Sequence, residues 1–374
     1  MTAQTPNTIF ETVTQRVVFS YQRQMPGFAP RLPESLSPGE RDEMRLSQQD
    51  LDAFFRALYQ CAYDRPETFG LPVIDDVCIE PGAGKEQKQV VTKTVKKARD
   101  KMVTAVDYLY HVGRHGKCAA DRLLLSQEDY TAFFTKRPRV KRKLVQGMQV
   151  VGLTVSEQED AVLIGNTTYP HMMPALRALA QACAQRDDRR LAALLFARCD
   201  LRALDAGFEP DLLDMLQTVL APTEYDRAVG LHNALAEMDY KASLSIGGVH
   251  NWRVQYQGKR AVKSTAFFEY EYDEREKRPL RTTVKCAATN RLVPLLPDQS
   301  ARLQQDFFRH AHSCGAPKCS WCKTRKGLNP SVLQVDGEKR TICWWMQRHF
   351  VELDEEAIEL VRQYAQLHEA LLAA

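Results

Sequence analysis

Cys314, Cys319 and Cys322 fall within nine residues, in the stretch CGAPKCSWC, and Cys343 follows beside Trp344 and Trp345. Even spreading of the chain's 10 cysteines would put fewer than one in that region, so the clustering needs a cause. Thiolates in sets of four bind zinc, and a Cys-x2-Cys turn such as Cys319 to Cys322 brings two sulfurs to one tetrahedral ion. Cys314 and Cys343 complete the four ligands. A site closed by four thiolates leaves no position for water or substrate, so the zinc would support folding rather than catalysis.

The residues between these cysteines point the same way. Ser331–Val335, the pair Asp336-Gly337 and Arg340–Cys343 read as a short hairpin whose Asp-Gly turn returns the chain to the metal. This arrangement resembles a zinc ribbon, with Cys314 standing where a cysteine three residues from Cys343 would be usual. The Cys-x4-Cys-x2-Cys spacing with a distant fourth cysteine is also that of plant-type iron–sulfur proteins, which makes an iron–sulfur cluster the alternative cofactor. His310 and His312 stand two apart on a predicted helix and so point to different sides, as surface residues or supports of the metal ligands.

A second pattern is a local excess of positive charge. Lys85 to Lys143 holds sixteen Lys or Arg against six Asp or Glu, in a chain whose net charge is only +4. The densest part carries Arg137 at a break before a predicted helix, residues 139–149, and Arg139, Lys141, Arg142 and Lys143 on that helix, whose apolar positions Val140, Leu144, Val145 and Met148 face one way. A basic helix side left free in this manner suits phosphate and base contacts with DNA or RNA. Residues 309–350 add eight basic against two acidic residues, including Lys323, Arg325, Lys326, Lys339 and Arg340, interleaved with tryptophans that can stack on bases or build a small core. The competing reading is a solvated face that pairs with the acidic remainder of the chain.

The elements that must hold these groups can be read from periodicity. Residues 1–45, rich in proline and polar residues, predict an extended arm, and Ser47 and Asp50 predict a helix start at residue 47. The phrase Leu-Ser-Gln-Gln-Asp returns as Leu-Ser-Gln-Glu-Asp at 125–129, either a weak duplication or a helix start reached twice. Residues 88–115 predict a long amphipathic helix, the helix opened by Ser126 follows, then the basic helix, then a hairpin over 152–164. Three helices and a hairpin give the order of elements in a winged helix. Helices are expected at 175–184, 189–204, 210–219 and 223–238, then a three-strand meander over 242–256, 264–272 and 280–288, a helix at 298–312 and a last amphipathic helix at 354–372.

The fold class is therefore α+β and multidomain: an arm (1–45), a winged-helix-like domain (46–168), a helical segment (169–240), an antiparallel α+β unit (241–312), the four-cysteine module (313–350) and the C-terminal helix (351–374). The apolar face of that last helix must meet the body of the protein, a protein partner or a second copy. Apolar content of 44% and charged content of 26% are those of a globular chain. No apolar run approaches the roughly 20 residues of a membrane span, and the opening MTAQTPNTIFETVTQ lacks the pattern of a secretory signal, so a cytoplasmic protein is expected. Cys61, Cys78, Cys118, Cys183, Cys199 and Cys286 read as buried apolar residues. Glu80-Pro-Gly-Ala-Gly-Lys85 fails as a phosphate-binding loop, since no Ser or Thr follows the lysine. Hydrolase, metalloprotease and dinucleotide signatures are absent, which weakens an enzyme reading and leaves nucleic-acid binding, with a zinc-containing scaffold or interaction protein as the alternative.

Overall fold

The computed structural model describes residues 13–25, 37–72, 84–135, 141–249, 251–258, 267–273, 280–287, 289–313, 331–343, 345–350 and 352–373. The chain is α+β, with helices dominating its first part and, among the described residues, three antiparallel sheets. Among the described residues no helix is long and apolar enough to cross a membrane.

The expected N-terminal arm contains a core helix. Helix α1 (Val13–Gln24) buries Val17, Val18 and Tyr21, spaced for one helix face, against the helices that follow. Helix α2 (Pro38–Asp64) has its cap ten residues before the predicted one, because Ser37 and Glu40 form a capping box with Pro38 at the first helical position. Ser47 and Asp50, read as its start, serve another helix. The backbone N–H of Ala175 donates to Ser47 Oγ (2.8 Å) and that of His171 to Asp50 Oδ2 (2.8 Å), capping α6 (Met172–Ala184) from outside. Ser126 does cap its own helix, α4 (Gln127–Thr135), by accepting from the Asp129 N–H. The two similar phrases thus do different work.

Helix α3 (Lys85–His115) ends at Gly116 as the sequence predicts. After it come β1 (Lys117–Ala119), β2 (Arg122–Ser126), α4, α5 (Lys141–Val150), β3 (Leu153–Glu157) and β4 (Ala161–Asn166). The four strands form an antiparallel sheet in the order β1-β2-β4-β3. Strand β1 was not foreseen, and Cys118 on it is exposed, unlike the buried Cys61, Cys183, Cys199 and Cys286; Cys78 lies outside the described residues.

The helix expected over 189–204 breaks. Helix α7 (Arg189–Ala197) ends where Cys199 takes a left-handed conformation (φ 53°), and Asp200 opens a separate 3-10 turn, Leu201–Leu204. Helices α8 (Leu212–Val219) and α9 (Pro222–Glu237) follow. The predicted three-strand meander is a five-stranded sheet. The segment 242–256 folds back on itself as β5 (Lys241–Gly248) and β6 (Asn251–Gln257), turning at Gly248. Strands β7 (Phe268–Asp273) and β8 (Leu280–Ala287) continue it, and β11 (Trp345–Phe350) adds an edge strand, giving β11-β8-β7-β6-β5. Between β8 and β11 lie the short α10 (Thr289–Leu292), α11 (Ala301–His310) and a hairpin of β9 (Ser331–Val335) and β10 (Glu338–Ile342).

Helix α12 (Glu355–Ala373) closes the chain. Its face of Ile358, Leu360, Val361, Tyr364, Leu367 and Leu371 is buried within the protein, against elements that include α9, α10, α11 and β8. Of the coverings expected for that stripe, the body of the same chain is the one seen, and a protein partner or second copy is not needed to bury it. Buried residues from Val17 to Leu371 form one connected cluster.

Candidate functional site

Helix α5 owes its seat to one residue. Gly147 lies against the ring of Phe69, where a Cβ would come within 2.5 Å of ring carbons, so the helix backbone packs directly on the turn Pro66–Phe69. Leu144 and Met148 point into the core, and Arg142, Lys143, Gln146 and Gln149 are left exposed. Among the described residues Arg142 and Lys143 have no ion-pair partner. Lys141 differs, because its Nζ bonds Glu157 Oε1 (3.0 Å) and sits 4.8 Å from the centre of the Tyr130 ring. Burial, with the Glu157 carboxylate as the second cause, pushes the Tyr130 phenol up to about 12. A groove of about 450 Å³ separates α5 from β3, lined by Arg142, Gln146, Gln149 and the Lys141–Glu157 pair among others. The hairpin tip beside it is acidic, with Glu157, Glu159 and Asp160 all exposed. Arg137 and Arg139 lie outside the described residues.

The cysteine segment is held at its base. Ser313 and Ile342 form an antiparallel bridge, and the Cys343 N–H donates to the His312 carbonyl (2.8 Å). Thr289 Oγ1 donates to the Cys343 carbonyl (2.7 Å), so the backbone of this half-buried cysteine is fixed on both sides. The residue after Ser313 is Cys314, which with Cys319 and Cys322 lies outside the described residues, as do Lys323, Arg325 and Lys326. The hairpin read from Asp336-Gly337 is present as β9 and β10, with both turn residues at positive φ (50° and 84°). Lys339 is exposed. Arg340 is committed inward, donating to the Phe308 carbonyl (2.9 Å) with its guanidinium 4.4 Å from that ring's centre. His310 Nδ1 donates to the Asp306 carbonyl of its own helix (2.9 Å), and His312 is exposed. Among the described residues no three His, Cys, Asp or Glu side chains are grouped to hold a metal.

One constellation escaped sequence reasoning. Pairing in the five-stranded sheet aligns Ser243, Gln255, Glu269, Thr283 and His349 in a single row across all strands, with Arg253, Glu271 and Arg281 in the next. Glu269 is buried and contacts Lys285, accepts from Gln255 Nε2 (3.2 Å), and lies 3.8 Å from Arg253 Nε. Glu271 bridges Arg253 and Arg281. Burial alone would raise the Glu271 pKa, but hydrogen bonds and charge from the two arginines hold it below its usual value. Thr283 Oγ1 and His349 Nδ1 are 2.9 Å apart, and burial, then the charge of Arg281, lowers the His349 pKa. Both carboxylates are occupied by cationic partners, which makes the array a charge ladder rather than a free acid, base or cation site. The signal for it was opposite charge at alternate positions of neighbouring strands: Arg253 with Glu269 and Glu271, these with Arg281 and Lys285.

No protein-family model, curated protein or solved structure matches the chain.

Proposed function

We propose that this chain binds nucleic acid through α5, and that Cys314, Cys319, Cys322 and Cys343 hold one structural zinc ion. The observation that carries the reading is the exposed stripe Arg142, Lys143, Gln146 and Gln149, whose two cations have no partner among the described residues. Arg reads guanine and Gln reads adenine at the major-groove edge, and Lys neutralises phosphate. The setting supports it. Helix α3, strand β2, helices α4 and α5, then strands β3 and β4, paired in the order β2-β4-β3 with β1 added beside β2, are compatible with a winged helix, in which the helix before the hairpin is the one offered to DNA.

Binding is tested by fluorescence anisotropy of the whole chain on duplex DNA and duplex RNA across a salt series. Arg142→Glu with Lys143→Glu is expected to weaken binding at least tenfold and to reduce the slope of log affinity against log salt by about 2. Unchanged affinity in that variant, or no salt-sensitive binding to either duplex, overturns the proposal.

For the metal, the half-buried Cys343, the bridge beside it and a donor set of four soft thiolates fit zinc, and the cysteines stay reduced inside the cell, where we place the protein. Metal analysis should return one zinc per chain with no visible absorption, and Cys343→Ser should lower that content. Visible bands with bound iron would replace zinc by an iron–sulfur cluster. A metal-free chain would remove the site.

One observation favours a protein partner instead. The acidic tip of Glu157, Glu159 and Asp160 would repel phosphate close to α5, and a basic peptide would suit it. A basic peptide that still binds after reversal of Arg142 and Lys143 but no longer binds when these three acids become Lys supports that alternative.

A further inference from the structure

Apart from α5 and the cysteine segment, a cleft of about 470 Å³ opens where α3, the end of α6 and α7 meet. Its size falls in the range that encloses small organic molecules, roughly 300 to 1,000 Å³. The cleft exists because α7 turns Ala192 and Ala193 toward it, side chains too short to fill the gap. Its lining includes an aromatic pair, with Tyr110 set edge-on to the buried Phe196 at 5.2 Å between ring centres and 81° between planes. Three guanidinium groups line it against one carboxylate, Asp107.

Those arginines are not equivalent. Arg186 is spent on the chain, donating to the carbonyls of Ala203, Asp205 and Phe208 and so fixing one end of the cleft. Arg114 and Arg189 are exposed and have no hydrogen-bond or ion-pair partner among the described residues. Burial keeps the Tyr110 phenol above its ordinary pKa despite the nearby Arg114, so its hydroxyl stays protonated and can donate. Tyr110, Ala192, Ala193 and Phe196 give the cleft an apolar lining, and Arg114 and Arg189 stand at solvent.

From this geometry we propose that the cleft binds a small organic anion with a planar ring, of the mononucleotide class, its ring against Ala192, Ala193 and the Tyr110 edge and its phosphate between Arg114 and Arg189. Guanidinium groups suit phosphate because they offer paired donors in a plane. The site does not depend on α5 or on the metal.

Isothermal titration of the whole chain with AMP, ADP and ATP, and with pyrophosphate alone, tests it. Arg189→Glu is a mild change for the fold, since an acid in the first turn of α7 suits the helix dipole, and it should weaken nucleotide binding at least tenfold. Ala193→Leu fills the cleft and should weaken nucleotides by a similar factor while leaving any pyrophosphate binding unchanged. The Arg142→Glu, Lys143→Glu chain should bind nucleotide normally, which separates this site from the α5 surface. Melting temperatures within a few degrees of the parent certify that the variants fold. No heat with any nucleotide, equal binding of pyrophosphate and nucleotide with no effect of Ala193→Leu, or loss of binding on reversal of Arg142 and Lys143 each overturns the proposal.

Discussion

Helix α5 and the outer face of the five-stranded sheet each carry three cations within a few residues of one another in space or sequence. On the sheet, Arg253, Arg281 and Lys285 all contact Glu269 or Glu271, and the carboxylates sit largely out of solvent. On α5, among the described residues, only Lys141 has a carboxylate, while Arg142 and Lys143 are exposed without one. A paired cation in a low-dielectric setting contributes to the fold when both partners stay, and its field is cancelled a few ångströms away. An unpaired one contributes little to the fold, and its field reaches about a Debye length, roughly 10 Å in ordinary salt. The same residue types therefore serve cohesion in one region and are available for recognition in the other.

The largest test of that contrast is Glu269→Ala. It leaves Lys285 without its carboxylate, Arg253 keeping Glu271, and should cost about 3 kcal/mol in denaturant unfolding, whereas Arg142→Glu with Lys143→Glu should stay within about 0.5 kcal/mol of the parent. Similar losses from both would erase the distinction. An acid titration sharpens it next. Because Glu271 has a pKa below its usual 4.5 in the folded chain, its stabilising effect is complete above pH 4.5 and is lost as pH falls through the lower folded value. Unfolding followed from pH 6 to 2 should show this loss, and Glu271→Gln should flatten that part of the curve. The smallest effect concerns Lys141. Glu157→Gln releases it, which should raise nucleic-acid affinity by a few fold and steepen the salt slope by about 0.9, one added phosphate contact. An unchanged slope would show that Lys141 stays on Tyr130 and takes no part.

What was legible in the sequence was what local rules decide. The helices at 85–115 and 141–150, the hairpin at 153–166 and the Asp336-Gly337 turn follow from apolar spacing and from residues that tolerate positive φ. The exposed side of α5 follows from the same spacing, and so Arg142 and Lys143 were found. Contacts between distant segments were not legible. Ser47 and Asp50 have the chemistry of a cap, but nothing nearby says that the capped helix begins more than a hundred residues later. The edge strand Trp345–Phe350 joins a sheet whose other strands end at residue 287, and the Thr283–His349 contact depends on that pairing, while the charge ladder needs the register of β6, β7 and β8. Lys141 and Arg340 carry full charges in any count, yet their partners Glu157, Tyr130 and Phe308 are set by folding.

The bridge between Ser313 and Ile342 bears on how tightly the proposed ion would be held. Gathering sulfurs from the two ends of a long segment ordinarily carries a loop-closure entropy, on the order of 3 kcal/mol for a loop of this length. Here the sheet and α11 have already brought those ends together. Removing the proposed ion with a chelator would then leave β8, β11 and α12 folded, and its departure would be a local, reversible event.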